Sequence, residues 1–197
     1  MSYPVFKDGE KQVLFGKVSD LKDTKDYVSF VVDGVRIYFH DKEKSAMASR
    51  VRKARVHNGA VLAVLCFVHE EEGKDPTANG VDFRYPKSTI TVKRGEDKEN
   101  TIIVGMAIRP YFNEETNVFS CAVPIDVYNK DSGTETRWVD VYFNAKFNEN
   151  LPGRAKRYIE EKTYVAINTS GIRTRVSDKN GKTYYNAYAN GFQVVRD

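Results

Sequence analysis

Cysteine is scarce in this chain: Cys66 and Cys121 are the two in 197 residues. Each lies in an apolar run, VLCFV or FSCAV, where a thiol serves as a small core side chain. Two cysteines so placed make neither a disulfide scaffold nor a zinc site. Histidine is nearly as rare, and His40, His57 and His69 share no ligand spacing. No apolar run reaches the length of a membrane span, and MSYPVFKDGEK lacks the apolar core of a signal peptide. The expectation is a cytoplasmic protein with no membrane partner. A nucleophile–base pair is missing as well. The tripeptide GKT at 181–183 ends like a phosphate loop, but Val176 stands where glycine is needed. The acidic groups Glu70-Glu71-Glu72 and Glu114-Glu115 fall on predicted loops, where carboxylates are solvated. The chain is therefore read as a non-enzyme, with no cofactor and no metal.

What it does have is rings: 12 Tyr and 11 Phe, with a single Trp, Trp138. A net charge of +4 permits an anionic partner without demanding one. Most of the chain alternates apolar and polar residues with period two, the mark of half-buried strands. Strands are predicted over 12–21, 27–32 and 35–40, with Asp33-Gly34 as a hairpin turn. A helix follows over 42–57, where Met47, Val51 and Ala54 recur at helical spacing and Asn58-Gly59 stops it. Strands over 60–70 and 81–92 enclose a loop at 71–80, and Pro86 demands an edge or a bulge. The charged stretch KRGEDKEN (93–100) reads as a linker.

After it the order repeats. Strands are predicted over 101–108, 117–128 and 137–145, with a polar loop at 129–136; a helix over 150–162 with Leu151, Ala155, Tyr158 and Ile159 on one face; and strands over 163–176 and 183–195. Residues repeat too. Leu14-Phe15-Gly16 matches Ile103-Val104-Gly105, and RIYFHDK (from Arg36) matches DVYFNAK (from Asp140) at an offset of 140 − 36 = 104. Three strands, a helix and two strands is the order of an OB barrel, parts of which other small barrels share. The expected fold is all-β with short helices: two tandem five-stranded OB-fold barrels, residues 1–95 and 100–197.

Alternation also assigns faces to the repeated strand. Val35, Ile37 and Phe39, like Val139, Val141 and Phe143, suit a barrel interior. Arg36, Tyr38 and His40, like Trp138, Asp140, Tyr142 and Asn144, point outward. Exposed rings beside basic groups suit single-stranded nucleic acid, which stacks its bases on rings and offers its phosphates to Lys and Arg. Arg173 and Arg175, two apart on one strand face, would clamp a backbone. Ordinary strand tyrosines, or rings covered by a partner, would give the same pattern. The basic run at 42–57 (Lys42, Lys44, Arg50, Arg52, Lys53, Arg55) reads first as a solvated helix face, with phosphate or partner contact as the alternative.

The stretch YNKDSGTETRWVDVYFNAKFNENLPGRAKRYIEEKTYVAINTSGIRTRVSDKNGKTYY resembles the bacterial single-stranded DNA-binding protein family. Its most specific parts are TRWVDV, the helix followed by TYVAI, and IRTRVSDKNGKTYY. The likeness covers about 100–195; residues 1–95 match only in outline. It implies stacking residues at Tyr128 and Trp138. Asn144 and Val176 stand where the family has aromatic residues, and Tyr142 and Tyr184 or Tyr185 are their substitutes nearby. Asp140 opposes phosphate. The expected function is sequence-nonspecific single-stranded DNA binding, in replication or recombination. The expected contacts are Trp138, Tyr142, Tyr128, Arg137, Lys146, Arg173, Arg175, Tyr184, Tyr185 and Arg109, with Tyr38 and Arg36 from the first unit. RNA binding and an OB-fold protein-interaction or assembly role are the alternatives, and homo-oligomerisation is left open. The chain stops at Asp197 without the family's Gly-rich, acidic-tipped tail. Recruitment of repair proteins through such a tail is therefore not expected, and a mobile-element or phage setting is suggested.

Overall fold

The computed structural model describes residues 4–42, 45–95, 98–146 and 148–195. The chain divides into two units, 1–84 and 85–197. In the first, β1 (Phe6–Asp8), β2 (Lys11–Lys17), β3 (Ser19–Asp23), β4 (Tyr27–Val32), β5 (Val35–Lys42) and β6 (Ser45–Ala46) precede α1 (Met47–Lys53), β7 (Val61–His69) and β8 (Thr77–Arg84). In the second, β9 (Ser88–Arg94), β10 (Lys98–Met106), β11 (Ile108–Asn113), β12 (Val118–Asn129) and β13 (Gly133–Asn144) precede α2 (Leu151–Tyr158), β14 (Tyr164–Thr169), β15 (Arg173–Val176) and β16 (Thr183–Val195).

The two sheets have one topology. Their orders are β1-β2-β7-β8-β5-β4-β3, with β6 on β5, and β9-β10-β14-β16-β13-β12-β11, with β15 on β16. A single residue separates β2 from β3 and β10 from β11, so one bent strand serves both ends of each sheet. Val18 makes the first bend, its N–H donating to the Ala60 carbonyl and its carbonyl accepting from the Gly59 N–H (both 2.8 Å). Ala107 makes the second, bonded in the same way to Thr163 (2.9 Å) and Lys162 (2.8 Å). With each bent pair counted once, five core strands remain per unit, and the last pairs in parallel with the third (β8 on β5, β16 on β13). The chain is thus all-β with two short helices, folded as two tandem OB-like units.

Alternation predicted the interior well. Ile37, Phe39, Val139, Val141 and Phe143 are fully buried. Phe39 packs with Phe30 (ring centroids 5.1 Å) and Phe83 (6.1 Å), and Phe143 with Phe119 and Phe192 (5.4 Å each). The helix α2, which carries a proline in its first turn, lays Leu151, Ala155 and Ile159 on the second core. The helix α1 is shorter than expected and buries Met47, Ala48 and Val51. Its N-cap Ala46 has no side chain to cap with. Asp41, at the end of β5, accepts instead from the Ser49 N–H (3.0 Å) and hydroxyl (2.6 Å). Those bonds hold the Asp41 carboxyl below its usual range.

Several predicted elements differ, among them the strand expected over 163–176, which is two strands, β14 and β15. The strand expected over 81–92 is two strands, interrupted by Pro86, which cannot donate to a ladder, and Lys87 at φ 71°. The second piece, β9, pairs with β10 from Lys98↔Arg94 to Val104↔Ser88. Lys93 and Arg94, and Lys98 to Asn100, of the charged run are therefore paired strand residues inside the second unit, and the units part at 84/85 rather than at 93–100; Glu96 and Asp97 lie outside the described residues. The loop expected at 71–80 already contains the start of β8. The polar loop expected at 129–136 is the tip of a long ribbon, in which β12 and β13 stay paired from Val118↔Asn144 to Asn129↔Gly133.

Candidate nucleic-acid interface

The third strand of the second unit, β13, carries the candidate site on its outward face. Its register sets three transverse rows across the sheet. One row runs Pro124–Trp138, on β12 and β13. The next runs Ile108–Ala122–Asp140–Asn186–Arg173, across β11, β12, β13, β16 and β15. The third runs Tyr111–Ser120–Tyr142–Tyr188. Tyr184 pairs with Arg175 on the β15–β16 hairpin, and Tyr128 lies far out on the β12–β13 ribbon. Four of these rings are open to solvent: Tyr128 is 73% exposed, Tyr111 62%, Trp138 48% and Tyr184 44%.

Guanidinium groups sit on this face as partners of rings. Arg109 lies 5.6 Å from the Trp138 ring and Arg173 lies 5.2 Å from the Tyr188 ring, both within cation–π reach. Tyr142 and Tyr188 form a tilted pair at 5.8 Å. Desolvation, then the charge of Asp140, raises the Tyr142 hydroxyl above its ordinary range, so it stays a neutral donor at neutral pH. Arg109 takes its place through a bulge: the β11–β12 register shifts between Ile108 and Tyr111, and Arg109 has φ 52°.

The other expected residues are placed differently. Arg137 and Tyr185 share the inward parity of Val139, at the rim of the core, where Arg137 lies 5.0 Å from the Tyr185 ring and 3.5 Å from Glu135. They are therefore off the face that bears Trp138. Lys146 is exposed just beyond β13. Arg36, at the position repeated by Asp140, is paired with Asp20 and donates to the Ser29 hydroxyl (3.3 Å). Tyr38 packs edge-on to Tyr27 (5.4 Å) and lines a cleft of about 390 Å³ with His40, Phe67, His69 and Asn79. Of the basic run around α1, Arg50 pairs with Asp82 (2.7 Å) and Arg52 with Asp23 (2.9 Å); Lys44 lies outside the described residues. Burial raises the thiols of Cys66 and Cys121 to about 12, which leaves both inert. Among the described residues, no group of three or more His, Cys, Asp or Glu is set to hold a metal ion.

Sequence reasoning missed Tyr188 and Tyr111. Parity could have found the first, since Tyr184, Asn186 and Tyr188 alternate on one strand. The bulge hid the second, because it breaks the alternation on which parity depends.

No protein-family model matches the chain, and no curated protein matches it. Several solved structures are similar. A small single-stranded DNA-binding protein from Streptomyces coelicolor is 18% identical over 50% of this chain and 95% of that one, with a TM-score of 0.36. A small single-stranded DNA binding protein from Mycoplasma pneumoniae is 14% identical over 48% of this chain and 90% of that one, at 0.32. The wild-type single-stranded DNA binding protein from Thermus aquaticus is 10% identical over 95% of this chain and 81% of that one, at 0.29. At such identities and scores no ligand carries over to this chain.

Proposed function

We propose that the chain binds single-stranded DNA through the outward face of β13 and its neighbours, without strong sequence preference. One observation carries the reading: the exposed ring of Trp138 lies beside Arg109 and shares its face with the Tyr142–Tyr188 pair and Arg173. Bases of any identity stack on such rings. The guanidinium groups next to them neutralise phosphates and release counterions, so affinity falls as salt rises. Tyr111, Tyr128 and Tyr184 extend the platform on either side, and Arg175 adds charge beside Tyr184.

Titration with oligo-dT tests this, because Trp138 is the sole tryptophan. Quenching of its emission is expected, with a binding constant that weakens as salt rises. Absence of quenching and of salt-dependent binding at micromolar protein would sink the reading. By anisotropy of labelled DNA, Trp138→Ala is expected to cost about 1–3 kcal/mol of binding. An RNA of the same sequence, titrated in parallel, separates a DNA from an RNA ligand.

A further inference from the structure

Asp140 sits oddly on a face otherwise built for an anion. It lies midway between Trp138 and Tyr142, about 7 Å along the strand from each. It is half-buried, and its cross-strand neighbours are the small Ala122 and the polar Asn186. Both nearby guanidinium groups are turned to rings instead, Arg109 to Trp138 and Arg173 to Tyr188. Among the described residues, no hydrogen bond or ion pair engages the Asp140 or the Asn186 side chain. The repeat supplies a contrast: at the matching place the first unit has Arg36, held by Asp20. A partly exposed carboxylate with no donor from the protein is open to a donor on a ligand.

We infer that Asp140, with Asn186 beside it, reads the hydrogen-bonding edges of bases stacked on Trp138 and Tyr142, and favours bases that present an amino group over thymine. The inference rests on the single-stranded DNA reading above. A phosphate is repelled by this carboxylate, so the backbone passes elsewhere and base edges fill the middle row. An ionised carboxylate only accepts hydrogen bonds. The N4 amino group of cytosine and the N6 amino group of adenine donate to it, as aspartate takes cytosine N4 elsewhere. Guanine offers two adjacent donors. Thymine offers one N–H, flanked by two carbonyl oxygens whose lone pairs face those of the carboxylate. Asn186 can donate to the ring nitrogen beside the cytosine or adenine amino group.

The test compares oligo-dC with oligo-dT of equal length at neutral pH, for the wild-type protein, Asp140→Asn and Asp140→Ala. The quantity read is the ratio of the two dissociation constants, dT over dC, so uniform effects of the lost charge cancel. Both substitutions are expected to lower that ratio about fivefold or more. Asp140→Asn should also gain affinity for dT, since an amide donates to thymine oxygens. The Asn variant is near-isosteric and keeps the comparison available if the Ala variant fails to fold. An equal ratio in wild type and Asp140→Asn overturns the inference and leaves the proposed function standing. Binding of neither oligomer by the wild type overturns both.

Discussion

Gly105 faces the Val123 side chain so closely that an added Cβ would overlap its methyl group, and the Pro124 carbonyl oxygen lies at 3.3 Å. Gly16 holds the matching place in the first repeat, yet its nearest neighbour, a Val32 methyl, is at an ordinary 3.4 Å. The shared glycine is therefore a steric need in one unit and an inherited habit in the other. Gly105→Ala is expected to destabilise the second unit by about 1–3 kcal/mol through overpacking. Gly16→Ala is expected to be neutral or to stabilise the first unit by up to about 1 kcal/mol, because it restricts the unfolded chain. Urea midpoints of the two variants check both signs. The sequence motif marks these glycines as equivalent. It cannot distinguish them, because the difference lies in valines on other strands.

Single elements were legible where their signals are local. The turn Asp33-Gly34 has both residues at positive φ (53° and 78°), as a two-residue hairpin requires. Fully buried Phe39 and Phe143, with half-buried Tyr38 and Tyr142, follow from alternation alone. Elements defined by their partners were harder. Nothing in the alternation of VDFRYPKSTITV says that its halves pair in different sheets, and Pro86 is the sole local mark of the break. The start of β8 was hidden because Gly80 has no side chain to show the pattern; a Cβ there would strike the Phe39 ring. The β12–β13 ribbon looked like a loop because its tip is polar on both faces. That ribbon is separable from the core. Replacing residues 128–134 by Asn-Gly keeps the Val127↔Glu135 pair and removes Tyr128. Stability is expected to stay within about 1 kcal/mol by thermal unfolding. Affinity for oligo-dT is expected to fall by about 1–3 kcal/mol as the Tyr128 ring is lost.

The molecule as a whole shows where its parts can be cut. A fragment of residues 85–197 keeps β9 on β10, with Ile90 and Val92 buried. A fragment of residues 100–197, the division that the charged run suggests, strips that strand and bares the edge of β10. Loss of those two side chains is worth about 3–6 kcal/mol, so the shorter fragment should unfold at much lower urea, or not fold at all. Equal midpoints for the two fragments would refute the boundary at 84/85.

The bends at Val18 and Ala107 bear on how such a chain can vary. Each is one buried residue, bonded through both its N–H and its carbonyl, that carries a single strand from one end of its sheet to the other. An insertion there would shift the register of everything downstream at once, so length changes more readily between strands than at the bends. One difference between the two copies lies at a hairpin tip: the first turns at Asp33-Gly34, and the second runs on into the ribbon that bears Tyr128. Trp138 falls at the position of Gly34 in the repeat (34 + 104 = 138), so the longer tip of the second unit carries both an arm and an indole.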